Sequence, residues 1–152
     1  MKSVLISIRP EWCDLIARGE KTLEVRKTKP NIDTPFKCYI YCTKAPKGWF
    51  WLNSPNIRRD GVVIGEFICD RYVIDRTFGH DAVINAAACM TEIQCAAYSC
   101  VSPLYGWHIS KLKIYDKPKK LIDFTGIKTM RDGFELRVLE RPPQSWCYVM
   151  EV

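Results

Sequence analysis

The chain has 152 residues with 23 basic and 17 acidic side chains, a formal net charge of +6, so it is long enough for one stable core and carries no histone-like basic tail. Hydrophobic residues make up 47% and charged residues 26%, an ordinary globular balance. No apolar run reaches the roughly 20 residues that span a bilayer, and the start, Met1 to Ile6, is interrupted too soon by Arg9-Pro10 to read as a secretory signal; a single cytoplasmic domain over 1–152 is the expectation.

Val4, Ile6 and Ile8 alternate with Leu5 and Ser7, which predicts a mostly buried strand over 3–8. Pro10 suits a first helical position and Glu11 the positive end of a helix. Trp12, Leu15 and Ile16 recur at helical spacing, and Gly19 offers a left-handed stop, so a short helix over 10–18 is expected. The strand expected over 21–27 places Thr22, Glu24 and Arg26 on one face and Leu23 and Val25 on the other. Lys21 shares the parity of Leu23. It joins Glu24 and Arg26 only if the chain is still turning after Gly19, which makes its placement a test.

A loop over 30–35 precedes a central strand over 36–42. Residues 43–60 form a long excursion marked by Pro46, Gly48, Pro55 and Asn56 and carrying Trp49-Phe50-Trp51. A β-branched strand follows over 61–75. Residues 81–100 read as helical, with a capping box at Thr91 and Gln94 and with Ile93, Ala96, Ala97 and Cys100 on one face. Strand returns over 104–115 and is ended by Pro118. A bulge near Ser110-Lys111 reconciles the odd parity of Trp107 and Ile109 with the even parity of Leu112 and Ile114. A hairpin across Asp132-Gly133 and a last strand over 145–152 complete the pattern. The class is α+β and mainly β: a β-barrel with short helices covering its openings.

The eight cysteines lie in strand and helix patterns with no Cys-x-x-Cys pair. Cys38 and Cys42 stand about 13 Å apart along a strand. Structural thiols are therefore expected, with no metal and no cofactor.

The segment Gly19-Glu20-Lys21-Thr22-Leu23-Glu24-Val25-Arg26 groups a lysine, a glutamate and an arginine where an apolar strand would normally begin. Its spacing, Gly-x-Lys-x-x-Glu-x-Arg, resembles the signature of the ASCH family, whose domains have a PUA-like fold. Ser7-Ile8-Arg9-Pro10-Glu11-Trp12, Tyr39 to Lys44, Val63 to Phe67, Leu104 to Ile109 and Pro143 to Val149 resemble the family's other segments in order, with 77–102 the least similar stretch. The resemblance implies a PUA-like barrel with a cleft beside the first helix, 125–152 being a C-terminal extension that returns to the barrel. It implies an RNA, nucleoside or nucleotide partner.

Glu66 interrupts an apolar strand, and a carboxylate on such a face needs a cation; Lys21 and Arg26 are the expected ones. Arg26 offers a planar fork for phosphate or carboxylate. Arg9 and Lys44, at strand ends, are expected to reach the same cleft. Arg9, Lys21, Glu24, Arg26, Lys44 and Glu66 are thus the candidate binding residues, with Tyr41 or Trp107 for stacking.

Some small ASCH proteins resemble amidohydrolases of acetylcytidine that use the motif lysine, a threonine three residues later and a distant glutamate. Lys21 matches, but the position three later is Glu24; Thr22 is the nearest hydroxyl and Glu92 a candidate for the glutamate. A lysine base must be uncharged, whereas adjacent carboxylates favour the charged form. A charged lysine serves instead as a donor to an oxyanion or phosphate, leaving Glu24 as base. Three readings follow: an RNA- or nucleotide-binding domain, a hydrolase of a modified nucleoside or of RNA using Lys21 and Glu24, and a protein-interaction adaptor working through Trp49 and Trp51.

Overall fold

The computed structural model describes residues 1–45 and 59–152; Trp49 and Trp51 lie outside the described residues. The elements run β1 (Lys2–Ile8), α1 (Pro10–Ala17), β2 (Leu23–Arg26), β3 (Phe36–Cys42), β4 (Val62–Asp75), α2 (Ala82–Ala87), α3 (Glu92–Ser99), β5 (Leu104–Lys119), β6 (Thr125–Met130), β7 (Gly133–Val138) and β8 (Trp146–Met150), with a 3-10 turn at Leu121–Asp123. The class is the mainly-β one expected, though among the described residues the sheet does not close into a barrel.

The chain folds as two compact units. The first comprises Met1–Asp14, Lys37–Phe67 and Leu112–Val152. Its strands follow the order β4-β3-β1-β8-β6-β7. Parallel β1 and β3 pair Val4 with Cys38 and Ile8 with Cys42, while antiparallel β8 pairs Tyr148 with Val4. Flanked on both sides, β1 is buried from Ser3 to Ile8, which is why its sequence is nearly continuous in apolar residues. Leu5, Tyr39, Tyr41, Val63, Tyr115, Phe124, Leu139 and Val149 form the core of this unit.

The second unit comprises Leu15–Phe36 and Ile68–Lys111, with strand order β2-β5-β4. Leu23 and Val25, on one face of β2, pack with Ile84, Ala88 and Leu104. Burial of each such side chain contributes about 1.5–3 kcal/mol. Phe36, Tyr72 and Trp107 form a second apolar group, with ring centroids 6.0–6.1 Å apart.

The expected helix over 81–100 is two helices. Asp81 caps α2 by accepting from the amides of Val83 and Ile84. Past the cap residue Ala88, Cys89 takes a φ of +54° while its amide and that of Met90 return to Ala86 and Asn85. A left-handed stop without glycine or asparagine leaves no signature in the sequence, so the break is invisible there. Thr91 then opens α3 with the expected reciprocal capping box to Gln94.

The face assigned to α3 is corrected: Ile93 is 83% exposed, and Cys95 and Ser99 are the buried positions. The cause is Gly79. A Cβ on it would lie 2.4 Å from the amide nitrogen of Ala96, so the turn holding Gly79 abuts the Cys95 side of the helix. Asp75 fixes that turn with a buried carboxylate that accepts from the Thr77 amide and hydroxyl and from the Gly79 amide.

In β5, Lys111 takes a φ of +48° at the place where a bulge was expected, and the strand runs through Pro118 rather than ending before it. The hairpin of β6 and β7 closes on the pair Met130–Gly133, putting Arg131 and Asp132 in the turn, one residue earlier than expected.

Candidate functional site

After α1, Gly19 adopts a φ of +76°. The amides of Glu20 and Lys21 both return to the Leu15 carbonyl, at 3.0 and 3.1 Å. The chain is therefore still turning at Lys21, and β2 begins only at Leu23. This frees Lys21 from strand alternation and satisfies the test set by its parity.

Lys21 is 2% exposed. Its Nζ donates to the Ala88 carbonyl at 2.6 Å and lies 3.4 Å from Oε2 of Glu24. Ala88 ends α2, where carbonyls lack helical partners, so the lysine also serves as a C-terminal cap. Arg26 approaches the other carboxylate oxygen: Nε and Nη2 lie 3.0 and 2.8 Å from Oε1. One buried carboxylate thus stands between an ammonium and a guanidinium. The ion pairs offset the desolvation that three ionised groups would otherwise suffer, and the set retains a net positive charge.

Just past β2 the chain presents exposed Lys27 and Lys29. The Lys27 ammonium lies 5.2 Å from the centre of the Tyr98 ring, and that of Lys29 lies 5.4 Å from the centre of Tyr72. Burial pushes the Tyr98 phenol above its ordinary value; the charge of Arg26 opposes the shift, that of Glu24 adds to it, and a hydrogen bond from the Lys27 backbone also opposes it. Tyr98 therefore lies within electrostatic reach of the motif. Two exposed lysines thus each lie over a tyrosine ring, and Arg26 is held by Glu24.

Arg9, Lys44 and Glu66 belong to the first unit. Arg9 and Lys44 are exposed. The expected partners of Glu66 are corrected. Tyr115 donates its hydroxyl to Oε2, and Lys37 lies 3.7 Å from Oε1, so these two, rather than Lys21 and Arg26, satisfy the carboxylate. Lys37 also reaches Glu151 at 2.9 Å. Burial, then the hydrogen bond to Glu66, pushes the Tyr115 phenol up. Lys37, Tyr98 and Tyr115 are the contributors that the sequence reading missed. For Lys37 the signal was present: it is the lone charge in an otherwise apolar strand.

Neither stacking candidate serves. Trp107 has no exposed surface and donates Nε1–H to the Thr28 carbonyl, while Tyr41 is 4% exposed within the first core. Thr22 is exposed and holds the strand start by its backbone, its amide donating to Ala87 and its carbonyl accepting from Ile109. Glu92 is exposed and pairs with His80 at 2.6 Å. All eight cysteines are free thiols, five of them buried. Among the described residues no three His, Cys, Asp or Glu side chains are grouped closely enough to hold a metal, and no helix is long and apolar enough to cross a membrane.

The ASCH domain signature matches residues 6–117, which include the whole Lys21–Glu24–Arg26 set. The chain belongs to the ASCH domain family. Among solved structures it is similar to the ASCH protein from Zymomonas mobilis, at 20% identity and a TM-score of 0.68, over 98% of this chain and 88% of that one. One single-residue mutant of that protein gives the same score over 98% and 89% of the two chains, and another gives 0.67 over 99% and 92%. These likenesses show the PUA-like fold. No curated protein matches the chain.

Proposed function

We propose that this ASCH domain binds single-stranded RNA or a nucleotide along the rim that follows β2. The observation that carries the reading is the placing of Lys27 over Tyr98 and of Lys29 over Tyr72, together with an arginine whose guanidinium is held by Glu24. Cations track a phosphate backbone, and aromatic faces accept any base. Lys21 and Glu24 contribute by bracing Arg26 rather than by touching ligand, since they are 2% and 5% exposed.

A hydrolytic reading, on a modified nucleoside or on RNA, draws support from the direct contact of Glu24 with both Lys21 and Arg26. In that reading Glu24 is the base and the cations stabilise developing negative charge. Incubation with acetylcytidine and with single-stranded RNA, followed by chromatography, separates the two. The binding reading expects RNA retained without product and Tyr98→Ala weakening binding by about tenfold, the scale of one lost stacking contact of 1–3 kcal/mol. Product whose formation is abolished by Lys21→Ala, in a variant shown to be folded by circular dichroism, would establish the hydrolase instead.

A further inference from the structure

β7 pairs with β6 on one side and is the last strand of its sheet among the described residues. All six of its residues are exposed. Phe134, Leu136 and Val138, on one face, are 69%, 49% and 57% exposed. Glu135 and Arg137 alternate with them and have no ion-pair partner among the described residues. The strand lies beyond the stretch that the family signature matches. A strand of this kind, apolar on one face and unpaired at its edge, is a template for another strand.

The order of residues says which strand it fits. Turned antiparallel about Leu136, β7 is complementary to itself. Glu135 falls opposite Arg137 of a second copy, Arg137 opposite its Glu135, Phe134 opposite its Val138, and Leu136 opposite its own equivalent. Opposite charges and aromatic–β-branched pairs are the cross-strand neighbours that stabilise antiparallel sheets. The backbone agrees. The Leu139 amide donates to Phe124 at 3.0 Å, which continues the β6–β7 register and marks the odd-numbered residues of β7 as those hydrogen-bonded to β6. Bonding alternates along an antiparallel pair. Phe134, Leu136 and Val138 therefore turn their amides and carbonyls outward, and the two-fold register matches each outward residue with another outward residue.

We infer that β7 is a homodimerisation edge: two copies of this chain join β7 to β7 in antiparallel register centred on Leu136, an isologous contact that extends the sheet of each. Sedimentation of the full chain over a micromolar-to-millimolar range tests this. The wild type is expected to dimerise. E135R and R137E, each of which sets like charges opposite one another twice per dimer, should weaken the dimer by about tenfold or more. An equimolar mixture of the two variants should recover a heterodimer, because the substituted charges are then opposite in sign across the contact. The double variant E135R/R137E should recover the homodimer. Recovery on mixing also shows that neither single variant is simply misfolded. A wild type that stays monomeric throughout, or a dimer indifferent to both single substitutions, would overturn the inference.

Discussion

Glu24 in one compact unit and Glu66 in the other are strand carboxylates that meet cations, and they are satisfied differently. Glu24 is 5% exposed and lies between Lys21 and Arg26, both cations, with every partner drawn from within two or three residues of it. Glu66 has a side chain 20% exposed and takes a phenol and a lysine that it shares with Glu151. The first is an overcharged, local and deeply buried set. The second is balanced, long-range and partly wet. Removing Glu24 takes from two buried cations the carboxylate they share, whereas removing Glu66 takes one of two carboxylates from a partly wet lysine.

The largest consequence should follow Glu24→Ala, which leaves the Lys21 ammonium and the Arg26 guanidinium without their carboxylate. A loss of about 3–5 kcal/mol in urea unfolding is expected, the range for breaking a buried pair by deleting one member. Tyr115→Phe removes the one hydroxyl donor to Glu66, and a loss of about 1.5–3 kcal/mol is expected for a hydrogen bond to a charged group. Glu66→Gln should lose only about 1 kcal/mol, because the amide oxygen still accepts from Tyr115 and Lys37 retains Glu151. Equal losses at Glu24 and Glu66 would erase the distinction between the two sites.

The smallest effect is in the pH dependence of the Lys37–Glu151 pair. The hydrogen bond from Lys37 holds the exposed Glu151 carboxyl below its ordinary range, and the same bond, against some burial, holds Lys37 above its own. A lowered carboxyl stabilises above its unfolded value and loses that contribution as pH falls through its folded one. A raised ammonium stabilises below its unfolded value and loses that contribution as pH rises through its folded one. The stability difference between wild type and Glu151→Gln should therefore be flat across neutral pH and shrink at the acid end. Added salt should diminish it throughout. A difference that grows on acidification would contradict the pairing.

What was legible in the sequence was local. Apolar alternation located the strands of the first unit, and Gly19 explained how Lys21 could leave strand parity and meet Glu24. The clash of parity around Ser110-Lys111 located an irregularity that the φ of Lys111 supplies. Contacts between distant segments were not legible. Parity put Glu66 on an apolar face, but nothing in it says that Lys37 and Tyr115 arrive on the neighbouring strands. Tyr98 meets Lys27 from α3, a helix separated from α2 by a positive φ at Cys89, in a residue type that rarely adopts one. Trp107 and Tyr41, which read as stacking surfaces, are consumed by cores that only tertiary packing defines.

The salt dependence of single-stranded RNA binding, followed by fluorescence anisotropy for the wild type and for the Lys27→Ala/Lys29→Ala double variant, tests the proposed role of the rim most directly. With both lysines on phosphates, the variant should bind more weakly, and its slope of log K against log salt should be shallower by about 1.4, the contribution of two contacts on a single strand. An affinity and a slope identical to those of the wild type would place the nucleic acid elsewhere and contradict the account.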